Sequence, residues 1–278
     1  MRRVGIIGHP VAHSLSPVFQ AAAFAACGLD AKYEAWDTPA EALKGRVVSL
    51  RDPAYLGANV TIPHKERVLP LLDELGGLSA RMGAVNTIVN REGRLFGFNT
   101  DGPGFVAALR NEVAFQCSGK RVLIVGAGGA ARGIAFALVE ARAAHLAVFN
   151  RTPARAQRLA GEIELAGGDV SVVAADTNTP IDCVINCTSV GMHGGPDPDG
   201  LPWDVSRLGA DALVVDIVYA PEETPLLKAA SAAGLRTLGG LPMLIYQGGL
   251  AFELWTGVHA PIDVMFEAAR GALKERQR

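Results

Sequence analysis

Residues 122–131 read VLIVGAGGAA, an apolar run that leads directly into a glycine-rich turn and then an Ala-rich stretch. The apolar run predicts a buried strand and the following stretch predicts a helix. Gly126 would allow a tight turn, Gly128 would let the backbone approach a pyrophosphate, and Ala131 would allow close helix–strand packing. The pattern therefore predicts a dinucleotide-binding Rossmann fingerprint. The residues expected around the phosphates are Gly126, Ala127, Gly128, Gly129, Ala130 and Ala131.

On both sides of this stretch, short β-branched runs alternate with Ala- or Leu-rich amphipathic runs. Such alternation is typical of βαβ units and predicts an α/β fold with parallel sheets. A helix predicted at Gly104–Asn111 separates two series of this kind. We therefore expect two α/β domains with a cleft between them. The first is an N-terminal domain in residues 1–103, completed by C-terminal helices in residues 240–278, and the second is a Rossmann domain in residues 104–239.

Residues 150–155, NRTPAR, follow the second strand of the Rossmann series. NAD-binding domains place Asp or Glu there to hold the ribose hydroxyls, and this segment contains no acid. Arg151 and Arg155 instead stand one helical turn apart, and guanidinium groups suit phosphate because they form bidentate, charge-assisted hydrogen bonds. The segment favours NADP over NAD. The alternative is that both arginines are solvated residues at a helix start, where they would oppose the helix dipole.

Residues 59–65, NVTIPHK, predict a strand end, a turn and the start of a helix over Pro63–Leu75. Asn59 and Thr61 offer hydrogen-bonding side chains at the carboxyl end of a strand, where open α/β sheets bind ligands. Lys65 would lie in the first helical turn, against the partial positive charge of the helix N-terminus. A lysine placed against its local electrostatics is a candidate for proton transfer.

Two nearby segments also carry polar residues in or after predicted strands. Asn86 and Thr87 interrupt an otherwise apolar strand, and Asp101 follows the next one. Asp101 would pair with Lys65, and its alternative role is to cap the helix that begins after it.

The segment at residues 13–17, HSLSP, follows the first strand. Ser16 and Pro17 predict a helix N-cap followed by a first-turn proline. Ser14 and Ser16 could donate hydroxyls to an anionic ligand at that helix start. The alternative is that Ser16 only caps the helix and Ser14 is an ordinary loop residue.

Composition excludes several classes of function. The chain has 278 residues, of which 49% are hydrophobic and 19% charged, so it can bury a substantial core. A net charge of -2 gives no basic surface for nucleic acid. Residues 122–139 and 241–258 are long and apolar, but polar residues interrupt both, so no membrane span is expected. The apolar run near the N-terminus is too short for a signal peptide.

Cysteine and histidine spacing indicates neither disulfides nor a metal centre. The four cysteines are Cys27, Cys117, Cys183 and Cys187. They form no CxxC pair, and we expect them to be reduced, in a cytoplasmic protein. His9 and His13 are four residues apart, but Pro10 lies between them and no acidic or cysteine ligand is near, so no metal is expected.

Taken together, these motifs resemble the shikimate dehydrogenase family, and the resemblance covers nearly the whole chain. The motifs, in family order, lie at residues 13–17, 59–65, 83–87, 99–102, 126–131, 150–152, 186–192, 216–219 and 243–248. The resemblance implies a substrate domain formed from both chain ends, with an NADP-binding Rossmann domain between. It also implies reversible reduction of 3-dehydroshikimate to shikimate, a step of chorismate and hence aromatic amino acid biosynthesis.

The resemblance further implies a role for each matching residue. Lys65 and Asp101 would be the catalytic pair, and Ser14 and Ser16 would hold the substrate carboxylate. The residues that would hold ring hydroxyls are Asn59, Thr61, Asn86 and Gln247, together with Asp101. Those at the 2′-phosphate would be Arg151, Thr152 and Arg155, and Asn150 would be a further cofactor-binding residue. Those along the adenine and nicotinamide path would be Thr188, Met192, Ile217, Tyr219, Gly240 and Met243.

Two other functions fit part of the pattern. An NAD-preferring quinate/shikimate dehydrogenase is opposed by Arg151 and Arg155, and by the Ser14–Ser16 pair. A non-catalytic, NADP-responsive regulator is opposed by the Lys65–Asp101 pair, which a sensor would not need. The expected partner is a small molecule, and the chain is expected to be a monomer or a homodimer.

Overall fold

The computed structural model describes residues 1–77, 79–175 and 180–276. The chain divides into two compact units. Unit 1 comprises Met1–Gly104 and Ile245–Arg278, and unit 2 comprises Phe105–Leu244. Each unit contains one six-stranded sheet in the described part of the chain, which confirms the predicted α/β fold class.

The α-helices alternate with strands through most of the chain. In chain order they are α1 (Ser16–Ala26), α2 (Leu43–Ser49), α3 (Ser79–Met82), α4 (Asp101–Val113), α5 (Gly129–Glu140), α6 (Pro153–Leu165), α7 (Pro225–Ala232), α8 (Leu241–Thr256) and α9 (Ile262–Arg276). Short 3-10 helices lie at Ala40–Ala42, Leu69–Leu71 and Val205–Arg207.

Unit 1 has a mixed sheet. Its strands are β1 (Arg2–Gly8), β2 (Ala31–Asp37), β3 (Gly57–Val60), β4 (Glu74–Leu75), β5 (Thr87–Arg91) and β6 (Arg94–Phe98), in the order β2-β1-β3-β5-β6-β4. β1 runs parallel to β2 and β3, whereas β5 is antiparallel to both of its neighbours. β1 and β3 therefore end at one edge, where β5 begins, and this brings residues 59 to 61 beside residues 86 and 87.

The C-terminal helices complete the core of unit 1. The indole nitrogen of Trp255, on α8, donates to the Ile88 carbonyl oxygen at 2.9 Å. Phe252 of α8 packs on Phe24 of α1, with ring centroids 5.1 Å apart. Both phenylalanines are fully buried, and burial of such a side chain contributes about 1.5–3 kcal/mol. Residues more than 200 positions apart in sequence thus share one core.

Unit 2 has a wholly parallel sheet. Its strands are β7 (Arg121–Val125), β8 (His145–Phe149), β9 (Val170–Val172), β10 (Cys183–Asn186), β11 (Leu213–Asp216) and β12 (Arg236–Leu238), in the order β12-β11-β10-β7-β8-β9. The central strands read as continuous apolar runs because both faces of such a sheet are covered by helices. The fingerprint thus lies at the carboxyl end of β7, a central strand.

The helix predicted over Pro63–Leu75 is wrong. Residues 61 to 68 form turns, a 3-10 helix follows at Leu69–Leu71, and Glu74–Leu75 forms strand β4 beside β6. Pro70 explains the difference, because a proline in a helix interior removes one hydrogen bond and clashes with the preceding turn. Lys65 is therefore not in a helical turn, and the helix-dipole argument does not apply to it.

The two long apolar stretches belong to ordinary elements of the fold. Residues 122–139 form most of β7 and α5, and residues 241–258 contain α8. Among the described residues, no helix has both the length and the hydrophobicity needed to cross a bilayer.

Candidate active site

Lys65 and Asp101 form an ion pair at the edge of the unit 1 sheet. Lys65 Nζ donates to Asp101 Oδ2 at 2.6 Å, with the two side chains 30% and 18% exposed. The Lys65 carbonyl oxygen accepts from the Val85 amide at 2.8 Å, which fixes the turn that carries the lysine. Asp101 is the first residue of α4, and its carboxylate accepts from both Lys65 and Asn86. A partly exposed amine held by a carboxylate can give or take a proton.

Asn86 lies next to this pair and holds Asp101 from the other side. Its Nδ2 donates to Asp101 Oδ1 at 2.8 Å and to Thr100 Oγ1 at 2.9 Å, and lies 3.3 Å from Gln247 Oε1. Its Oδ1 accepts from the Thr100 amide at 2.8 Å. Asn86 is buried, so these bonds satisfy an amide that would otherwise cost free energy. The structure thus brings Gln247, on α8, to residues more than 140 positions earlier in the chain.

Asn59 and Thr61 lie at the adjacent strand end. Asn59 Nδ2 donates to the Asn86 carbonyl oxygen at 3.1 Å and to Thr87 Oγ1 at 3.2 Å. Because a carbonyl oxygen can only accept, these contacts fix which way the Asn59 amide points. Thr61 is half-buried, and its backbone amide donates to the Ile7 carbonyl oxygen at 2.8 Å. Asn59 is therefore held rigidly in the network around Asn86.

Ser14 and Ser16 start α1, but not as predicted. The N-cap residue is Leu15, and Ser16 is the first helical residue, so the predicted Ser16 cap is wrong. The reason is that Ser14 Oγ accepts from the Ser16 amide at 3.2 Å and takes over the task of a cap. The Ser16 side chain is buried, and its hydroxyl is not used as a cap. Arg276 of α9 holds this loop by donating to the His13 and Ser14 carbonyl oxygens at 2.7 and 3.3 Å.

Neither His9 nor His13 belongs to a cluster of potential metal ligands in the described part of the chain. His9 Nδ1 lies 3.0 Å from Asp37 Oδ1. Within the described parts of the chain, no group of three or more His, Cys, Asp or Glu side chains is placed to hold a metal ion.

The glycine-rich turn of unit 2 has the geometry that a dinucleotide requires. Gly126 has φ of +114°, a left-handed conformation that favours glycine. Gly128 is the N-cap of α5, and a Cβ atom built on Gly128 or Gly129 would meet only open space. Ala131 is fully buried against the sheet. The backbone amides at the start of α5 are therefore open to a phosphate group, and the N-terminal end of the helix favours an anion there. Ala127 and Ala130, in the same turn, are half-buried.

Arg151 and Arg155 lie at the start of α6, beside this turn. Thr152 is the N-cap of α6, and Asn150 Nδ2 donates to the Thr152 carbonyl oxygen at 2.9 Å. Both arginines are exposed, and neither guanidinium group bonds to any other described residue. Two unpaired guanidinium groups at a helix start are suited to an incoming phosphate.

A buried polar network fixes two further loops of unit 2. Asn186 Oδ1 accepts from the amide and the hydroxyl of Thr188, and its Nδ2 donates to Asp216 Oδ1 at 2.9 Å. Asp216 also accepts from the Val218 amide and from the Thr224 hydroxyl. Burial raises the pKa of Asp216, although the three donors oppose that shift. The network places Thr188 and residues 217–219 at the carboxyl edge of the sheet.

The remaining residues predicted along the cofactor path also belong to unit 2. Met192 is exposed in a loop, whereas Ile217, Tyr219 and Met243 are half-buried. The Gly240 amide donates to the Val218 carbonyl oxygen at 3.2 Å, directly before α8. Their contacts with a cofactor stay predictions.

Sequence reasoning assigned no role to Tyr33, Asn186 or Asp216. Asn186 and Asp216 are polar residues that end apolar strands, and this signal could have identified them. Tyr33 is a buried tyrosine in a strand beside β1, and a buried phenol usually has a hydrogen-bond partner.

Comparison with known proteins agrees with these features. Three sequence profiles match the chain: the shikimate dehydrogenase substrate binding domain at residues 6–88, shikimate / quinate 5-dehydrogenase at 108–190, and the shikimate 5′-dehydrogenase C-terminal domain at 240–270. The chain is 45% identical to a shikimate dehydrogenase (NADP(+)) of Symbiobacterium thermophilum, over 98% of this chain and 95% of that protein.

Solved structures give the same result. The chain matches the shikimate 5-dehydrogenase of Thermus thermophilus, crystallised with NADP(H) and shikimate, with a TM-score of 0.88 and 45% identity, over 98% of this chain and 100% of that one. It also matches the quinate dehydrogenase of Corynebacterium glutamicum in complex with NAD, with a TM-score of 0.89 and 36% identity, over 97% and 98% of the two chains.

The fold and the site define an α/β oxidoreductase with a dinucleotide-binding Rossmann unit. More narrowly, the chain belongs to the shikimate dehydrogenase family.

Proposed function

We propose that this chain catalyses the reversible, NADP-dependent reduction of 3-dehydroshikimate to shikimate, in the biosynthesis of chorismate and the aromatic amino acids. The observation that carries the proposal is the Lys65–Asp101 pair, with Lys65 Nζ 2.6 Å from the carboxylate and Asn86 holding its other oxygen. This pair lies in unit 1, which contains the match to the shikimate dehydrogenase substrate binding domain. The whole chain is 45% identical to a shikimate dehydrogenase (NADP(+)).

The proton transfer falls to Lys65. The bound nicotinamide supplies a hydride to the ketone carbon in one direction and accepts it in the other. As the carbonyl oxygen gains charge, the Lys65 ammonium donates a proton to it, and in reverse the neutral amine accepts the alcohol proton. Asp101 orients the ammonium group and offers its carboxylate to a substrate hydroxyl.

The substrate would be held by hydrogen-bonding side chains of unit 1. Ser14 and Ser16 would donate to its carboxylate, which suits their place at the start of α1. The groups for its ring hydroxyls would be Asn59, Thr61, Asn86, Asp101 and Gln247. Residues 1–103 with 240–278 would then be the substrate domain, and residues 104–239 the NADP-binding domain.

The cofactor preference rests on Arg151 and Arg155. Both are exposed at the start of α6, and residues 150–155 contain no acid to hold ribose hydroxyls. A 2′-phosphate would give these guanidinium groups a negatively charged partner, so NADP would bind more tightly than NAD. Asn150 and Thr152 would complete the phosphate site, and the path onward to the nicotinamide would use Thr188, Met192, Ile217, Tyr219, Gly240 and Met243.

An NAD-preferring quinate/shikimate dehydrogenase is the second candidate. The match to a quinate dehydrogenase in complex with NAD favours it, whereas the two exposed arginines favour NADP. Side-by-side turnover of shikimate and quinate with NADP⁺ and NAD⁺ decides between them. We expect shikimate with NADP⁺ to give the highest kcat/KM. A higher value for quinate with NAD⁺ would establish the alternative, and NADP⁺ binding without turnover of either compound would indicate a regulator.

We further propose that the chain acts in the cytoplasm as a monomer or a homodimer. The four unpaired cysteines suit a reducing compartment. A sedimentation measurement of the purified protein gives its oligomeric state.

A further inference from the structure

His64 is the one buried residue of the turn at residues 61–67, which also carries Lys65, and none of its surface is exposed. Its Nε2 atom lies 2.6 Å from the Thr38 carbonyl oxygen. Because a carbonyl oxygen only accepts, Nε2 carries a proton and donates it. The Nδ1 atom has no hydrogen-bond partner among the described residues, so the ring is held through Nε2 alone.

The acceptor of this bond is itself fixed to the sheet. Thr38 directly follows β2 and is buried. Its amide donates to the carbonyl oxygen of Gly8, the last residue of β1, at 2.9 Å. Its hydroxyl donates to the Trp36 carbonyl oxygen at 2.9 Å. His64 is therefore bonded to a point that the ends of two strands hold in place.

Lys65 is held from the opposite side of the turn. Its carbonyl oxygen accepts from the amide of Val85, just before β5, at 2.8 Å. In the sheet order β2-β1-β3-β5, the strands β1 and β3 lie between the two points at which the turn is bonded. The turn thus crosses the carboxyl edge of the sheet and is bonded at both sides, with Lys65 Nζ 2.6 Å from Asp101 Oδ2.

We propose that His64 is a positioning residue that sets the place of the Lys65 amine by bonding its turn to the end of β2. This inference rests on the proposed function, in which Lys65 transfers the proton. Without the Nε2 donor, only the bond to Val85 would remain of the two that hold the turn across the sheet edge. Proton transfer needs the donor within hydrogen-bond reach of its acceptor, and a misplacement of about 1 Å can cost about 100-fold in rate. Loss of the His64 bond should therefore act on kcat rather than on substrate binding.

The test compares two replacements of similar length that differ in their donor. The side-chain amide of His64→Gln can donate to the Thr38 carbonyl oxygen, whereas His64→Met has no donor and is flexible enough to fill the same space. His64→Met should lower kcat for shikimate oxidation about 10-fold and change KM for shikimate and for NADP⁺ by less than about 2-fold. His64→Gln should stay within about 3-fold of the wild-type kcat. Equal kcat values in the two variants would overturn the inference.

Thr38→Val is the matched control, because it removes the Thr38 hydroxyl and keeps the carbonyl oxygen that accepts from His64. Its kcat should stay within about 2-fold of the wild-type value. If neither wild-type nor Thr38→Val protein oxidises shikimate with NADP⁺, the proposed function itself fails. If both are active and His64→Met keeps its kcat, only the role of His64 is overturned.

A second measurement reports the position of the amine without turnover. Lysine amines are labelled with a limiting amount of an acylating reagent, and mass spectrometry gives the rate at Lys65 relative to Lys32, an exposed lysine paired with Glu34. An amine displaced from its carboxylate partner reacts faster, so this ratio should rise about 3-fold in His64→Met and stay unchanged in His64→Gln. A ratio that does not change in His64→Met would contradict the inference. If His64→Met fails to fold, the ring supports the fold as a whole rather than the place of Lys65, and the inference is overturned as well.

Discussion

In unit 1, the polar side chains at the ends of β3 and β5 are buried and bonded to one another, whereas in unit 2 the guanidinium groups at the start of α6 are exposed and bonded to no other described residue. The two kinds of ligand proposed for these units would explain the difference. Neutral hydroxyl groups are recognised by direction, so amides such as Asn86 must be oriented beforehand, and their burial requires every bond to be made. A phosphate is recognised mainly by its charge, so Arg151 and Arg155 can remain exposed to solvent until it binds.

Removal of the Lys65 amine should have the largest effect. Lys65→Ala should lower kcat by about 100-fold or more, because it deletes the proposed proton donor. Absorbance of the reduced nicotinamide during shikimate oxidation measures it. Lys32→Ala is the matched control, since Lys32 is an exposed lysine of the same unit paired with Glu34. Near-normal turnover in Lys65→Ala would show that Lys65 is not the proton donor. The polar side chains of unit 1 could then no longer be interpreted as a catalytic site.

Removal of one arginine should have a smaller effect, confined to one cofactor. Arg151→Ala should raise KM for NADP⁺ by about 10-fold and leave KM for NAD⁺ nearly unchanged, since only NADP carries the 2′-phosphate. Arg158→Ala, an exposed arginine further along α6, is the control. Equal losses with both cofactors would show that Arg151 does not bind the 2′-phosphate.

Asp216 tests whether buried polar groups have the same supporting role in unit 2 as in unit 1. It is buried in unit 2 and bonded to Asn186 and Thr224. Asp216→Ala should lower the free energy of unfolding by about 1–3 kcal/mol, since it leaves Asn186, Val218 and Thr224 with unsatisfied donors. Denaturant unfolding measures the loss. Asp211→Ala, at an exposed acid, should change stability by less than about 0.5 kcal/mol. Similar effects of the two substitutions would contradict a supporting role for the network.

The smallest effect concerns an ion pair of unit 1 outside the proposed site. Hydrogen bonds from Arg51 and from the Leu95 amide lower the pKa of Asp73 to about 2, from 3.8. A carboxyl group with a lowered pKa stabilises the fold above the unfolded-state value, and this contribution is lost as pH falls through the folded-state value. Asp73→Asn should therefore be less stable than wild type at neutral pH, with the difference shrinking between about pH 4 and pH 2. A difference that does not change over this range in pH-dependent denaturation would argue against the pair.

Sequence patterns predicted unit 2 better than unit 1, for a physical reason. Strands buried on both faces read as continuous apolar runs, so β7 was predicted within one residue of its bounds. α7 and β12 went unpredicted because both are short. The predicted helix over Pro63–Leu75 was wrong because the prediction rested on the amphipathic pattern alone. Pro70 prevents a continuous helix there.

The candidate site was predictable as a set of residues but not as a network. Lys65 and Asp101 could be paired on the sequence, since Asp101 follows one predicted strand and Lys65 lies in the turn region after another. The bonds of Asn86 to Asp101 and Thr100 depend on the antiparallel register of β5 and β6, which sequence spacing does not give. Tyr33 shows the same limit, since the acceptor of its hydroxyl, Asn59 Oδ1, belongs to β3.

The interrupted path of the chain through unit 1 has a consequence for biosynthesis. Unit 2 is one continuous stretch, Phe105–Leu244, whereas unit 1 needs residues from both ends of the chain. Domains generally fold as units while the chain emerges from the ribosome. The partners of Ile88 and Asn86 on α8, Trp255 and Gln247, are synthesised only after unit 2 is complete. A nascent chain therefore holds a finished nucleotide-binding unit while the unit that carries Lys65 still lacks its last two helices.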